Sequence, residues 1–336
     1  MTAPRVLVVD DSAFARTVLS KLLRQNGDIS VVGTARDGAD ALERIDALDP
    51  DVVTLDLTMP GIDGIGVLHA LRARPRPRVI VVSTSSVDAA LGAQALALGA
   101  VDLVTKPTAL ASDRLHEIGA ELRAKVIACA RPAPADPPER RTEAGVPRKG
   151  ADLVMIGTST GGPQALTRLV AALPADLRAP VVMALHIPVG YTEAIAQRLD
   201  KISPLMVMEA ADGLELVPGL AVLARGGMHL RVERHGSRLY AVLSPRPARQ
   251  FTPSVDELFI SGARAVGARS LGVVLTGMGD DGLEGARAIA AAGGMLITES
   301  ASSCVIYGMP RSVYEAGLGA VSVHLDQIGR RIEEYV

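Results

Sequence analysis

Aromatic residues are scarce in this sequence. There are five Tyr, three Phe and no Trp among 336 residues. With 48% apolar residues the chain can still bury ordinary cores, and Val, Leu, Ile and Ala must build them. Cysteine is nearly absent. Cys129 and Cys304 cannot form a disulfide framework, so no covalent staple holds the fold. No excess of basic residues exists either: the formal charge is −2, which argues against a nucleic-acid-binding output. No apolar run approaches the length that crosses a bilayer. The N-terminal run in MTAPRVLVVDDS is short and broken by two aspartates, unlike a signal peptide. These absences together predict a soluble, cytoplasmic protein without membrane insertion.

What is present falls into two halves. At about 150 residues per domain, the length predicts two domains. Residues 131–149, RPAPADPPERRTEAGVPRK, carry proline and charge without apolar periodicity and cannot pack a core. The expected boundaries are a first domain over 1–125, a Pro-rich linker over 126–150 and a second domain over 151–336. No internal repeat relates the halves.

The first half alternates strand-like runs (Arg5–Asp10, Ile29–Gly33, Val52–Leu57, Arg78–Ser83, Asp102–Thr105) with amphipathic segments such as Ala13–Arg24 and Ala39–Ala47. That pattern predicts an α/β fold with a doubly wound, five-stranded parallel sheet, whose ligands sit beyond the carboxyl ends of the strands. Asp10 and Asp11 end the first strand, Asp56 the third and Ser83 the fourth, and Lys106 follows the fifth. Singly, an aspartate at a strand end is most simply a turn former or a helix cap. Five such residues on one edge make a coherent set. Three carboxylates would repel unless a cation joined them, and all-oxygen ligation suits Mg²⁺ with a phosphate as a further ligand. Lys106 and Ser83 would then serve phosphate oxygens.

The carrying motifs VDD (9–11), TLDLTMPGIDG, VVSTSS and Lys106-Pro107 resemble a two-component receiver domain. The resemblance implies Asp56 as phosphoacceptor, Asp10, Asp11 and Asp56 as the Mg²⁺ ligands, and a histidine kinase as phosphodonor. Many receivers carry an aromatic three residues before the lysine. Here that place is Leu103, so signalling through an aromatic switch is not expected.

The second half opens on MIGTSTGGPQAL. An apolar strand precedes Ser159, and helical spacing follows it. Gly157-Thr158-Ser159-Thr160-Gly161 fits the G-x-S-x-G pattern of a nucleophile elbow. The rival reading, a phosphate loop, lacks both the G-x-G-x-x-G spacing and a Walker lysine. A serine nucleophile needs a base and an orienting acid. His186 follows the apolar strand Val181–Leu185, and Asp281 follows the run ending at Leu275; both therefore reach the edge that holds Ser159. Asp280 or Asp281 could instead simply cap the next helix. His235 lies in a hairpin turn and reads as solvated, His229 reads as packing or surface, and His324 opens the last helix. Two orders are open: Ser159–His186–Asp281, and Ser159–Asp281–His324. The first is preferred because all three of its members follow strands. Glycines 277, 279 and 282 predict a tight loop that presents backbone N–H groups. The rest of the half reads as α/β with a mainly parallel sheet and a hairpin over His229–Glu233 and Leu239–Leu243.

GTSTGGPQAL, HIPVGYTEAIAQRL, TPSVDELFISGA, LTGMGDDGLEGA and VIYGMPRSV resemble the catalytic domain of the chemotaxis protein-glutamate methylesterases (CheB), and the receiver–linker–esterase order matches throughout. The resemblance implies Ser159 as nucleophile, His186 as base and Asp281 as its orienter. It places Thr160 and the N–H of Met278 at the oxyanion, with methyl-accepting chemotaxis receptors as substrates and no cofactor for the hydrolysis. With two domains and a semi-rigid linker, the chain is expected to be a monomer in which the unphosphorylated receiver covers the Ser159 face. Arg225 stands where the family usually has proline, and TESASS at 298–303 is less typical. The rival to an enzyme is a receiver joined to a degenerate esterase module that only docks partners.

Overall fold

The structure is a computed structural model, and it describes residues 3–72, 74, 76–83, 89–106, 112–131, 135–136 and 150–336, with side chains of the 112–130 helix from 118 onward. Pro107 and most of the expected linker lie outside the described residues. The chain divides into two compact units, Met1–Pro132 and Ala133–Val336.

The first unit holds β1 (Arg5–Val9), α1 (Ala13–Arg24), β2 (Ser30–Ala35), α2 (Gly38–Leu48), β3 (Val52–Leu55), α3 (Gly64–Leu71), β4 (Arg78–Ser83), α4 (Ala89–Ala97), β5 (Asp102–Thr105) and α5 (Ser112–Ala130). Its sheet is wholly parallel, in the order β2-β1-β3-β4-β5. Val6–Val9 and Val52–Leu55 are buried throughout, as strands covered on both faces must be. The helices start where short acceptors cap them: Ser12, Asp37 and Asp63 take backbone N–H groups of α1, α2 and α3. The last helix runs to Ala130 because Leu122, Val126 and Cys129 keep one buried face going, so residues 126–130 are helical rather than part of an extended linker. Strand order reverses between β1 and β3, which puts the crevice at Asp10 and Asp56.

The second unit holds β6 (Leu153–Thr158), α6 (Gly162–Ala171), β7 (Val181–Leu185), α7 (Thr192–Asp200), β8 (Met206–Glu209), β9 (Glu215–Leu216), β10 (Leu220–Leu223), β11 (His229–His235) and β12 (Arg238–Ser244). Then come α8 (Val255–Val266), β13 (Ser270–Val274), α9 (Leu283–Ala291), β14 (Met295–Glu299), α10 (Met309–Glu315), β15 (Val321–Val323) and α11 (Leu325–Tyr335). Seven strands form a parallel sheet, β15-β14-β13-β6-β7-β10-β8, and β11, β12 and β9 form a separate antiparallel one. The order reverses around β6, whose neighbours are β13 and β7. Carboxyl ends of these three strands thus share one crevice. In the adjoining linker, the Asp136 carboxylate accepts from the N–H and hydroxyl of Ser302 at 2.8 and 2.6 Å.

Helix α8 sets the depth of that crevice. Leu258 and Phe259 are fully buried against the sheet, and Gly262 lets the helix approach so closely that a Cβ there would meet Met155 Sδ at 2.1 Å. At the first turn, a Cβ on Gly157 would lie 2.2 Å from Val255 Cγ1. The helix start therefore rests directly on the strand that leads to Ser159. Gly157→Ala should push α8 off β6 and destabilise the protein by about 1–3 kcal/mol, the ordinary cost of overpacking. A urea midpoint unchanged from wild type would contradict this contact.

Candidate functional site

The first site lies at the β1/β3 crevice. Asp10 and Asp56 are buried while Asp11 is exposed, and one oxygen of each lies within 4.8 Å of the others. Lys106 Nζ reaches Asp10 Oδ2 at 2.6 Å and Asp56 Oδ2 at 2.7 Å. Burial pushes the Asp56 carboxyl above the ordinary carboxylate range, against the lowering effect of Lys106. Burial works to lower Lys106, but its bonds to Asp10 and Asp56 outweigh it and hold the ammonium charged. Ser83 ends β4, buried, and its carbonyl accepts from the Lys106 N–H at 2.6 Å. All five residues of the expected set are thus on one edge. The donor set, hard oxygens only, fits a divalent cation of the Mg²⁺ kind. Leu103 is fully buried in β5.

The second site is built on β6, β7 and β13. Register pairs Thr158 with Leu185, so Ser159 and His186 are the next residues out of adjacent strands. The Ser159 N–H donates to Thr276 O at 3.1 Å, and its carbonyl accepts from Gly162 N–H at 2.7 Å, which bends the chain sharply after β6. Gly161 sits at φ +82° at this bend, the left-handed region that glycine takes without a steric penalty. Thr158 Oγ1 also donates to Thr276 O, at 2.8 Å. Ser159 is 8% exposed, covered yet reachable.

His186 Nε2 lies 2.7 Å from Asp281 Oδ2. An ionised carboxylate only accepts, so Nε2 is the donor, and in the neutral imidazole Nδ1 keeps the lone pair. Nδ1 is buried and has no hydrogen-bond partner among the described residues. The Asp281 carboxylate accepts further from Ser254 Oγ (2.9 Å), Val255 N–H (2.8 Å) and Asp256 N–H (3.0 Å), which are the cap and first residues of α8. An anion at a helix N-terminus meets orphan donors and the positive end of the dipole. Burial would raise Asp281, but the His186 bond and charge and these N–H groups outweigh it, so the carboxyl is held below the ordinary range. Asp256 beside it is driven up, by burial and by the charge of Asp281.

Asp281 does not cap α9. Gly282 occupies the cap position, and Asp256 Oδ1 accepts from the N–H groups of Gly282 and Gly285 instead, at 2.9 and 2.7 Å. That substitution releases Asp281 for His186. His324 lies elsewhere: it caps α11, with its side chain 45% exposed, after the edge strand β15. His235 is exposed beside Glu233, as expected of a solvated turn residue.

Thr160 is buried, and its carbonyl accepts from Thr276 Oγ1 at 3.0 Å. The Gly277 carbonyl accepts from Gly308 and Met309 N–H, whereas the Met278 N–H finds no acceptor among the described residues. A Cβ on Gly277 would approach Ser159 Cβ to 2.9 Å, so this loop passes directly over the serine. Arg225 is exposed, 3.9 Å from Glu209, on the wall of a groove of about 650 Å³ shared with Glu193, Asp212 and Met228.

Several residues that shape the site escaped the sequence reading of single residues. His229 is fully buried; its Nδ1 accepts from Ser254 N–H at 3.1 Å and its Nε2 donates to Pro247 O at 2.8 Å. Phe251 stacks on His186 with ring centroids 4.1 Å apart. Ser254 and Glu257 carried a readable signal, the S-x-x-E capping box that opens a helix.

The model of the CheB methylesterase family matches residues 154–332, and that of the response regulator receiver domain matches residues 6–118. The chain belongs to the CheB methylesterase family. A protein-glutamate methylesterase/protein-glutamine glutaminase of Myxococcus xanthus is 58% identical over 331 residues, covering 96% of this chain and 95% of that one. One of Symbiobacterium thermophilum with the same name is 44% identical, over 98% and 97%. The crystal structure of the Thermotoga maritima CheB methylesterase catalytic domain matches with TM-score 0.54 and 36% identity, over 55% of this chain and 99% of that one. No helix among the described residues is long and apolar enough to cross a membrane.

The carboxylates around α8 predict how family member stability responds to pH. Asp256, raised in the folded state, binds its proton more tightly folded than unfolded, so stability should fall as pH rises above the ordinary aspartate value. Asp281, lowered, stabilises above that value, and its contribution is lost as pH falls below it. In Asp256→Asn, which can keep the bonds to Gly282 and Gly285, the decline on the alkaline side should be shallower, with the raised Asp56 and Glu299 left to account for the remainder. Urea midpoints measured across the carboxylate range check this; a variant with the same alkaline decline as wild type would refute it.

Proposed function

We propose that this chain is a phosphorylation-regulated protein-glutamate methylesterase, with a receiver over residues 1–125 whose last helix continues to Ala130, a linker from there to residue 150 and the esterase over 151–336. The observation that carries the reading is the His186–Asp281 pair beside Ser159, with Asp281 clamped by the start of α8 and the second nitrogen of His186 left unbonded.

In this reading Ser159 Oγ attacks the carbonyl carbon of a glutamyl methyl ester while His186 Nδ1 takes its proton. Asp281 stays ionised and steadies the imidazolium. The negative charge that develops on the carbonyl oxygen is met by the Met278 N–H and by Thr160, and one such donor is typically worth about 3–4 kcal/mol. Collapse breaks the ester C–O bond, and Nδ1–H protonates the departing methoxide to methanol. Water then attacks the glutamyl-serine ester by the same route and releases the glutamate carboxylate. Every proton taken by His186 is returned, so the cycle closes without a cofactor. A glutamine side chain in the same place would lose ammonia instead, the second activity in the relatives' name. The substrates are methylated glutamates on chemotaxis receptors.

Asp56 is the phosphoacceptor, fed by the histidine kinase of the same pathway. Asp10, Asp11 and Asp56 would hold Mg²⁺, which neutralises the carboxylate cluster and the incoming phosphoryl oxygens. Lys106 and Ser83 serve those same oxygens.

Methanol release from a methylated receptor fragment tests the chemistry. Ser159→Ala should lose at least about 10⁴-fold in kcat, as loss of a triad nucleophile does. Residual release within tenfold of wild type, about 1.4 kcal/mol of barrier, would remove Ser159 from the reaction. A small-molecule phosphodonor should raise the wild-type rate. Chelation of divalent cations, or Asp56→Asn, should abolish that response while leaving the basal rate in place. An Asp56→Asn protein that still responds fully would refute the regulatory site.

A further inference from the structure

Phe251 is one of only three phenylalanines in the chain, and its ring lies on the imidazole of His186. The centroids are 4.1 Å apart and the planes differ by 13°, a face-to-face stack. The edge of the same imidazole is tied to Asp281 through Nε2. One hydrogen bond fixes a point on the ring but leaves rotation about the bond axis, and a stacked face removes that rotation. Together they aim Nδ1 in a single direction.

The loop that brings Phe251 there is anchored on both sides. Pro247 O and Ser254 N–H are bridged by the buried His229, whose two ring nitrogens have opposite roles and so define a neutral tautomer. The Thr252 carbonyl accepts from Gly227 N–H at 3.2 Å. Arg249 donates to Glu257 Oε1 at 3.0 and 2.7 Å and to Glu284 Oε2 at 2.8 Å. So many restraints on one short connection make the ring's position a built feature.

We propose that Phe251 is a positioning residue for the hydrolysis: its ring orients the His186 imidazole and favours the imidazolium that forms as Ser159 gives up its proton. The proposal rests on the esterase reading of the site. A neutral imidazole gains little from lying flat on a benzene face, since two like quadrupoles meet. An imidazolium is a cation over the negative face, and the attraction grows where water is excluded. The His186 side chain is 7% exposed. The stack therefore acts on the charged state more than on the resting one, which is what lowers a barrier rather than merely tightening binding. The other charged groups here are Asp281, bonded directly to the imidazole, and Asp256 behind it; Arg249, Glu257 and Glu284 form the anchor of the loop.

The test compares Phe251→Leu and Phe251→Tyr in the full-length, phosphodonor-activated protein. The readouts are methanol release from a methylated receptor fragment across pH, and unfolding midpoints. Leucine keeps apolar bulk without a π face; tyrosine keeps the face. Phe251→Leu should lower kcat by about five- to thirtyfold, the rate equivalent of a desolvated cation on an aromatic face, with KM within about twofold. The acid limb of kcat/KM should move to lower pH, and Phe251→Tyr should restore both. A leucine variant with wild-type kcat and an unmoved acid limb would overturn the proposal. So would a loss confined to KM, which would mean that Phe251 touches substrate instead, or equal losses in both variants, which would mean a steric role only. Ser159→Ala in the same assay separates the two levels. If that variant is inactive while Phe251→Leu is unimpaired, the stack alone is wrong. If Ser159→Ala still turns over, the esterase reading falls and the stack with it.

Discussion

The docking of one helix start on one carboxylate organises the catalytic unit. Asp281 follows β13 in a glycine-rich loop, and α8 holds its carboxylate. Three donors from Ser254, Val255 and Asp256 fix both carboxylate oxygens, and His186 takes the remaining direction at Oδ2. Bonds from a charged acceptor are worth roughly 1.5–3 kcal/mol each, more than neutral ones, so the loop is held by the charge itself. The same contact ties β6 to the site, because Val255 presses on Gly157 two residues before Ser159. Packing and chemistry therefore depend on the same few atoms. Anything that moves α8 moves Asp281, the histidine bonded to it and the strand that leads to Ser159.

The two units solve the problem of a buried carboxylate in opposite ways. In the receiver, Asp56 meets a point charge, Lys106, which also pairs with Asp10. In the proposed reading this ammonium follows a phosphoryl group as the charge at Asp56 changes. In the esterase, Asp281 meets fixed N–H groups and an imidazole, which in the proposed reading suits a residue whose charge must not change during the cycle. In that reading one site is arranged to be modified, the other to remain constant. This difference in partners distinguishes a switch from a catalyst although both lie at the switch point of a parallel sheet.

Much of this was legible in the sequence because strand ends announce themselves. Asp10, Asp56, Ser83, Ser159 and His186 each follow a short apolar run, and in a parallel sheet such positions converge by topology alone. The reading was weaker where a residue's role depends on a partner far along the chain. His229 looked like packing because its hydrogen bonds go to Pro247 and Ser254, eighteen and twenty-five residues away. Leu220–Leu223, a core strand between β7 and β8, offers four buried residues without alternation, too short for periodicity to separate strand from turn. Asp256 could not be told from an ordinary first-turn acid until its bonds to Gly282 and Gly285 were visible.

Asp256 also explains why Asp281 is available at all. An aspartate two residues ahead of a helix usually turns back to cap it, and a capping Asp281 would spend an oxygen on α9. Here the glycine at 282 takes the cap position with no side chain to offer, and the donors it exposes go to Asp256 across the crevice. Placing two carboxylates side by side is costly; the His186 bond and the N–H groups of Val255 and Asp256 hold the Asp281 carboxyl low, while burial and the charge of Asp281 raise Asp256. The arrangement puts the electrostatic strain on the residue that has only a structural task. His186 is left facing a carboxylate held below the ordinary range, which in the proposed reading steadies it as Nδ1 takes a proton.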